Sequence, residues 1–160
     1  MSLTIIPAFD RPQEIAALVG EYTGLLIAGD PTFRDYLALQ RYDEELLHLE
    51  AKYGPPQGRL YLALMDGDVA GCVGLRRIDE ARCEMKRLYV RPAFRARGIG
   101  KALCRRVIGD ARAIGYAQML LDTLPFLETA IRLYRRLGFE EIPCYNDSPM
   151  QEAVYLRLIL

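Results

Sequence analysis

The sequence predicts an α/β protein whose mixed β-sheet is covered by helices on both faces. Predicted elements follow one another in the order βααβββαβαββ, a succession typical of sheet-and-helix layers around one core. Of the 160 residues, 51% are hydrophobic, which suffices for a compact core in a chain of this length. We therefore expect residues 1–160 to form a single domain.

The N-terminal third is predicted to contain one strand and two helices. Residues 3–8 alternate weakly between apolar and polar types, which favours a short strand. Residues 12–28 carry apolar side chains at helical spacing. A second helix is expected to begin after Pro31 and to end before Gly54.

The middle of the chain is predicted to be a three-stranded meander. Residues 59–65 and 69–78 are strand-like, and Gly67 between them tolerates the positive φ of a tight hairpin. Residues 82–90 form the next predicted strand. Simple alternation places Glu84 on one face with Lys86, Leu88 and Val90, and Cys83 on the other.

The C-terminal third alternates helices with strands. Residues 98–113 show an amphipathic helical pattern, and residues 119–123 form a short apolar strand. A helix is expected to begin at Pro125 and to end at Gly138. Residues 139–145 and 150–158 are predicted to close the sheet as a strand pair.

Charge is distributed unevenly although the formal net charge is zero. Residues 76–112 hold twelve Lys or Arg against four acids, whereas residues 10–53 hold nine acids against four bases. The zero balance argues against a DNA-coating protein or a polybasic membrane binder. The basic segment indicates either a solvated helix face or a site for a small polyanion.

The sequence also argues against several other classes. Its four cysteines show neither a CxxC pair nor a zinc-ligand spacing, so we expect buried thiols, no disulfide framework and no metal. No apolar run reaches the length of a membrane span, and the first residues do not resemble a secretory signal. These features favour a cytoplasmic protein that binds neither nucleic acid nor membranes.

A basic, glycine-containing loop follows the third strand of the meander. In the segment Arg95-Ala96-Arg97-Gly98-Ile99-Gly100-Lys101, two glycines open a helix whose first N–H groups have no intrahelical partner. Such a helix start binds phosphate through its N–H groups and dipole, and arginines add charge-assisted hydrogen bonds. Neither a P-loop nor a dinucleotide fingerprint fits this spacing.

This RxxGxG pattern after Val90-Arg91-Pro92 resembles the acyl-CoA pyrophosphate loop of the GNAT superfamily of N-acetyltransferases. The resemblance covers about residues 60–140, because the strand from Glu84 to Val90 and the run from Ala130 to Phe139 also match the family's core pattern. It implies a mixed, mostly antiparallel sheet of about six to seven strands that splays at the acyl-CoA site.

The resemblance also implies acetyl-CoA as co-substrate and assigns residues that bind it. The backbone of the strand end would pair with the pantetheine arm, and the loop would hold the pyrophosphate. Many family members have an asparagine where this chain has Leu127. The cofactor-binding residues implied are Leu88, Tyr89, Val90, Arg95, Ala96, Arg97, Gly98, Ile99, Gly100 and Lys101.

Two catalytic residues follow from the same resemblance. Glu84 matches the glutamate that serves as general base in histone-acetylating members, because the attacking amine must lose a proton. The alternative is that Glu84 only pairs with an arginine such as Arg76 or Arg87. Tyr134 matches the tyrosine that protonates the leaving thiolate, the alternative being an aromatic side chain that packs on the sheet.

The remaining candidates and the acceptor are less constrained by the sequence. We expect a packing or surface role for His48, a capping role for Asp122, and Tyr145 at the border of the acceptor site. The expected acceptor is a primary amine of a small, amino-acid-like molecule, and the acidic N-terminal helices suggest that it is cationic. Alternative acceptors are a peptide N-terminus or a lysine, and the alternative to an enzyme is a non-catalytic acyl-CoA sensor. A homodimer is a possible assembly.

Overall fold

The computed structural model describes residues 2–39, 41–148, 150 and 152–160, and only the backbone of Leu39. Within these residues the chain forms seven strands and six helices around one sheet. The strands are β1 (Leu3–Pro7), β2 (Arg59–Met65), β3 (Asp68–Arg77), β4 (Arg82–Val90), β5 (Gln118–Thr123), β6 (Glu140–Ile142) and β7 (Val154–Ile159). The helices are α1 (Pro12–Gly29), α2 (Phe33–Leu39), α3 (Tyr42–Leu47), α4 (Leu49–Tyr53), α5 (Ile99–Ile114) and α6 (Glu128–Arg136).

The sheet has the order β1-β2-β3-β4-β5-β7-β6. Five of its neighbouring pairs are antiparallel, and β4 with β5 is the parallel pair. The expected α/β class and the mixed, mostly antiparallel sheet are therefore confirmed. The β2–β3 hairpin turns at Asp66 and Gly67, whose φ angles of 52° and 87° are both left-handed, as a type I′ turn requires.

Helices cover both faces of the sheet. One core joins α5 and α6 to the sheet through residues such as Leu103, Val107 and Tyr134. A second core joins α1 and α4 to the opposite face through Ile15, Leu18 and Tyr53. None of the described helices is both long and apolar enough to cross a membrane.

Element boundaries differ from the prediction mainly where tertiary contacts bend the chain. The single helix expected between Pro31 and Gly54 is wrong, since three short helices occupy this stretch. Arg41, which precedes α3, has a left-handed backbone (φ 55°). His48 ends α3 with a φ of −135°. These breaks turn α3 so that Glu45 reaches a buried arginine of the sheet.

The C-terminal elements are shorter than predicted. Helix α6 begins at Glu128 rather than at Pro125, because the Leu127 N–H closes a turn onto the Leu124 carbonyl at 3.0 Å. Strand β6 ends at Ile142, and β7 begins only at Val154. Pro149 and Gln151, which belong to the predicted loop and last strand, lie outside the described residues.

A bulge in β4 changes which face the second half of this strand presents. Between the pairs Gly74–Lys86 and Cys72–Tyr89, three steps on β4 oppose two on β3, and Arg87 has a left-handed φ of 59°. Tyr89 therefore packs with Cys72 in the core beneath α1. Leu88 and Val90 pack into the α5 core instead. Their expected shared face with Glu84 is thus wrong, whereas the opposite placement of Cys83 in the α5 core is confirmed.

Candidate active site

Strands β4 and β5 pair only at their beginnings and then diverge. The parallel register ends where Glu84 faces Leu120, so the rest of β4 has no partner on that side within the described residues. The Arg91 N–H donates to the Ala70 carbonyl at 2.8 Å. The N–H of Arg91 therefore points toward β3. By alternation, the N–H and C=O of Val90 and Leu88 face the gap. The splay expected from the resemblance is present.

The basic loop lies at the end of this open strand edge. Pro92–Phe94 form a 3₁₀ turn, and α5 starts at Ile99 after a left-handed Ala96 (φ 61°) and a left-handed Gly98 (φ 75°). The first turn of α5 contains no acidic residue, so nothing there competes for its N–H groups. Arg95 donates its Nε–H to the Val90 carbonyl at 3.1 Å.

The loop presents a mostly exposed surface. Arg95, Ala96, Arg97, Gly98 and Lys101 are exposed, whereas Ile99 is buried in the α5 core. The Arg97 guanidinium lies 5.7 Å from the centre of the Phe94 ring. The predicted loop residues other than Ile99 therefore form a surface at the start of α5, with its N–H groups and cationic side chains next to the gap.

Tyr134 lies at the inner end of the gap. It is buried, and its ring centre is 5.8 Å from that of Phe139. Burial raises the pKa of its hydroxyl well above the usual value. It lines a small cavity of about 40 Å³ between β4, β5 and the helices, which we call the gap cavity. Among the described residues its hydroxyl has no hydrogen-bond partner, so a proton donor faces the gap cavity.

Glu84 lies on the face of the sheet covered by α1 and α4, with 2% of its side chain exposed. Its Oε1 accepts a hydrogen bond from Arg76 Nε at 2.7 Å and lies 3.7 Å from Lys86 Nζ. Its Oε2 accepts one from the Tyr145 hydroxyl at 2.5 Å. Burial alone would raise its pKa, but the charges of Lys86 and Arg76 and the hydrogen bonds from Tyr145 and Arg76 lower the pKa to about 2. The ion pair with Arg76 that the sequence left as one alternative is present.

Glu84 faces a second, larger cavity of about 710 Å³, which we call the open cavity. It is lined by Tyr36, Arg41, Glu44, Glu45, His48, Ala51, Lys52, Arg76, Arg77, Glu84, Lys86, Asn146 and Asp147. Tyr36 and Lys86 also line the gap cavity. These two side chains therefore mark where a molecule in the open cavity meets the gap.

A polar network next to this junction was not predicted from the sequence. Tyr36 donates a short hydrogen bond to Asp122, and the Asn146 side-chain amide donates to Asp122 at 3.1 Å and to the Tyr36 oxygen at 3.0 Å. The expected capping role of Asp122 is wrong, since these are its contacts among the described residues. Asn146 lines the open cavity, whereas Tyr145 is not among its lining residues and reaches it only through a hydrogen bond to Glu84, which is one of them. The partners of Tyr145 and Asn146 lie 61 and 24 residues away, and no local pattern indicates such contacts.

A second buried carboxylate, Glu45, also lines the open cavity. Arg87 donates to both of its oxygens at 2.9 Å, and Lys52 Nζ lies 2.5 Å from Oε1. Burial opposes ionisation, but Arg87 and Lys52 lower the pKa of Glu45 to about 2. The acidic charge of the N-terminal helices is thus partly neutralised inside the protein at Glu45 and, at the surface, at Glu21, which pairs with Arg91 at 2.9 Å.

Two further sequence positions have clear locations. Leu127 stands at the N-cap of α6 and lines the gap cavity with an apolar side chain. His48 separates α3 from α4, is exposed and lines the open cavity. Its expected surface role is consistent with this position.

Comparisons with known proteins bear on the family and the fold. The model of the "Acetyltransferase (GNAT) family" matches residues 27–139. An uncharacterized N-acetyltransferase of Schizosaccharomyces pombe is 40% identical over 124 residues, which are 76% of each sequence. N-acetylaspartate synthetase of Danio rerio is 36% identical over 121 residues, 69% of this chain and 43% of that protein. PaiA N-acetyltransferase of Thermoplasma acidophilum, crystallised with coenzyme A, has the same fold, with a TM-score of 0.75 and 17% identity over 100% of both chains.

Proposed function

We propose that this chain, which belongs to the acetyltransferase (GNAT) family, transfers an acetyl group from acetyl-CoA to a primary amine of a small, amino-acid-like acceptor. The transfer is direct and takes place in a ternary complex. The observation that carries the proposal is the divergence of β4 from β5 after Glu84. It leaves an open strand edge between the basic loop and Tyr134.

The residues around this gap fit acetyl-CoA. The outward N–H and C=O of Leu88 and Val90 offer strand-like hydrogen bonds to an extended amide chain such as pantetheine. The N–H groups at the start of α5, with Arg95, Arg97 and Lys101, suit a pyrophosphate. A relative with this fold is crystallised with coenzyme A. When bound, acetyl-CoA supplies an activated thioester.

The proposed chemistry forms one carbon–nitrogen bond and breaks one carbon–sulfur bond. The neutral amine of the acceptor attacks the thioester carbonyl, and the Val90 N–H stabilises the negative charge that develops on the carbonyl oxygen. Glu84 takes the amine proton, directly or through water. Tyr134 donates a proton to the departing thiolate, so that the products are an amide and free coenzyme A.

The surroundings of Glu84 set a condition on its role. With a pKa near 2, Glu84 is a weak proton acceptor while Arg76 and Tyr145 both hold it. An acceptor molecule that displaces either contact raises this pKa and makes Glu84 a stronger base. The competing role is a purely structural ion pair with Arg76.

The size of the open cavity and the names of relatives support a small acceptor. A volume of about 710 Å³ lies in the range of small-molecule sites. A relative that matches most of this chain is named N-acetylaspartate synthetase. We therefore place the acceptor in the open cavity, with its amine at the junction formed by Tyr36 and Lys86.

The test is release of free thiol from acetyl-CoA in the presence of an amine panel. The panel contains amino acids, polyamines, and a peptide with a free N-terminus and a lysine, and mass spectrometry identifies the acetylated product. We expect amine-dependent thiol release with a small acceptor. Binding of acetyl-CoA without thiol release for any amine would indicate a sensor, and a preference for the peptide would overturn the small-molecule assignment.

Tyr134→Phe tests the assigned proton donor. We expect kcat to fall by about 100-fold, while acetyl-CoA binding measured by thermal shift stays unchanged. Tyr61→Phe is the matched control, because its hydroxyl bonds Asp110 on the α5 face, outside both cavities. Full turnover in folded Tyr134→Phe would remove Tyr134 from the mechanism.

A further inference from the structure

The inner wall of the open cavity holds more positive charge than negative charge. Each of two carboxylates with 2% side-chain exposure contacts two cations: Glu84 contacts Arg76 and Lys86, and Glu45 contacts Lys52 and Arg87. Three of these four cations, Lys52, Arg76 and Lys86, line the open cavity together with the two carboxylates, and Arg87 lines the gap cavity. Because buried charge is costly without a partner of opposite sign, this wall attracts an additional anion.

The rim of the cavity does not cancel this excess. Arg41 and Glu44 lie 3.7 Å apart as an exposed pair with no net charge. Asp147 is exposed, so water and salt screen its charge. Arg77 also lines the cavity, and no carboxylate of the described residues forms an ion pair with it. Arg77 therefore adds a further cation beside Arg76.

Neighbouring positive charge helps to lower the pKa of both lysines of the wall, Lys52 and Lys86. Burial and the nearby charge of Lys86 lower the pKa of Lys52 to about 8, although Glu45 lies beside it. Burial and the charge of Arg87 lower the pKa of Lys86, although Glu84 attracts its proton. An anion bound between these cations would relieve their mutual repulsion.

The acid-rich N-terminal helices suggested a cationic acceptor from the sequence, but their charge is directed elsewhere. Glu45 is held by Arg87 and Lys52, and Glu21 is held by Arg91. Within the described residues, the carboxylate at the junction of the two cavities is Asp122, which makes no ion pair there and accepts hydrogen bonds from Tyr36 and Asn146. Asp122 therefore offers the acceptor's amine a hydrogen-bond acceptor near the junction, and an anion has its place on the wall.

We infer that the acceptor is an amino acid or a similar amine that carries a carboxylate, which binds at the cationic wall near Arg76, Arg77 and Lys52. Its amine points to the junction at Tyr36 and Asp122. This inference rests on the proposed function. It also explains how Glu84 gains basicity, because a carboxylate that draws Arg76 away from Glu84 removes one of the contacts that keep its pKa low.

The experiment compares matched acceptors that differ only in the anionic group. Glycine, β-alanine, L-serine and L-aspartate are assayed against glycinamide, β-alaninamide, L-serinamide and L-aspartic acid diamide with acetyl-CoA. We expect at least one carboxylate to show a kcat/KM about tenfold or more above that of its amide. Conversion to the amide lowers the pKa of the neighbouring amine, which by itself favours the amide, so a carboxylate preference is not a basicity effect.

Variants then locate the carboxylate. In Arg77→Gln and Lys52→Gln we expect KM for the carboxylate acceptor to rise about tenfold with kcat largely retained, and the amide to change less than about twofold. Arg112→Gln, which removes an exposed arginine at the far end of α5, is the matched control. Acetyl-CoA binding, measured by thermal shift, is expected to be the same in all variants.

The outcomes separate the inference from the function on which it rests. If the amides react as well as the carboxylates, or if Arg77→Gln and Lys52→Gln lower kcat/KM equally for both, the inference is wrong and the acetyltransferase assignment stands. If neither series releases thiol but a peptide or polyamine does, the inference is again wrong. If no amine of any kind releases thiol, the proposed function and the inference fail together.

Discussion

Among the described residues two carboxylates are buried, Glu45 and Glu84, and they have similar charges around them but partners of very different exposure. Both side chains are 2% exposed, both contact two cations, and both have a pKa lowered to about 2. Arg87, whose side chain is 4% exposed, donates hydrogen bonds to both oxygens of Glu45. Glu84 is held by Arg76, which is 34% exposed, and by Tyr145 from the segment between β6 and β7.

The partners, and not the carboxylates themselves, therefore distinguish these two sites. Removal of Glu45 leaves the Arg87 guanidinium, which has almost no access to water, without this carboxylate. Removing Glu84 leaves an arginine that solvent and a ligand can reach. A low pKa and deep burial are therefore shared by both sites, whereas partner exposure distinguishes them.

Loss of the inner pair is expected to have the largest effect on the free energy of unfolding. Glu45→Gln leaves the Arg87 charge buried without its carboxylate, and we expect a loss of about 3–5 kcal/mol, measured by denaturant unfolding at neutral pH. The neighbouring Glu44→Gln is the control, because its side chain is 68% exposed and its removal should change stability by less than about 0.5 kcal/mol. Similar losses in the two variants would remove the special status of Glu45.

Acid is expected to destabilise the protein through both carboxylates. The pKa of each carboxylate is near 2 in the folded chain, below the ordinary value of 4.5 expected in the unfolded chain. Their contribution to the free energy of unfolding is therefore present above pH 4.5 and is lost as the pH falls from 4.5 toward 2. The shift corresponds to about 3 kcal/mol for each group. Denaturant unfolding at pH 7, 4 and 3 measures it. A pH dependence in Glu84→Gln as steep as in the unsubstituted protein would show that Glu84 contributes nothing to it.

Glu84→Gln is expected to affect catalysis more than folding. If Glu84 accepts the amine proton, kcat falls by about 100-fold at neutral pH and recovers as the pH rises, because more acceptor is then present as free amine. Stopped thiol-release assays between pH 6 and 10 measure this profile. A loss that persists at high pH would assign Glu84 to the structural ion pair with Arg76 instead.

Tyr145→Phe is expected to give the smallest change and to test how Glu84 is held. The hydroxyl donates a hydrogen bond to a charged oxygen, so its removal should cost about 1–2 kcal/mol of stability at pH 7 and raise the pKa of Glu84. Unfolding at two pH values on either side of 4.5 reports both effects. Unchanged stability at both pH values would show that the Tyr145 contact is replaced by water without loss.

Much of the fold and one half of the site followed from local sequence. Tyr134 was assigned through the resemblance to the family, and its role stays a prediction. The predicted bounds of β2 and β4 are those observed, and the glycines of the basic loop indicated the start of α5. Such features depend on hydrophobic periodicity and on glycines at set positions, which are local properties.

The other half of the site depends on long-range contacts that no spacing reports. Glu45 meets Arg87 across 42 residues, and Tyr36 meets Asp122 across 86. The helix breaks at Arg41 and His48 that allow the first contact have no Pro or Gly signal, so tertiary packing overrides the helical periodicity of that stretch.

The bulge at Arg87 divides β4 into two segments, and the alternation of side chains between the two faces of the sheet is shifted by one residue from one segment to the other. Upstream of it, the charged side chains Glu84 and Lys86 point toward α1 and α4, and downstream the same face is occupied by Tyr89 while Val90 turns toward α5. One strand thus carries one segment that faces the proposed acceptor cavity and a second segment that faces the proposed co-substrate gap. Under the proposed function, substitutions upstream would alter acceptor selection while the downstream segment keeps its register. Deletion of a single residue at the bulge would restore simple alternation along β4 and exchange the two faces of one segment.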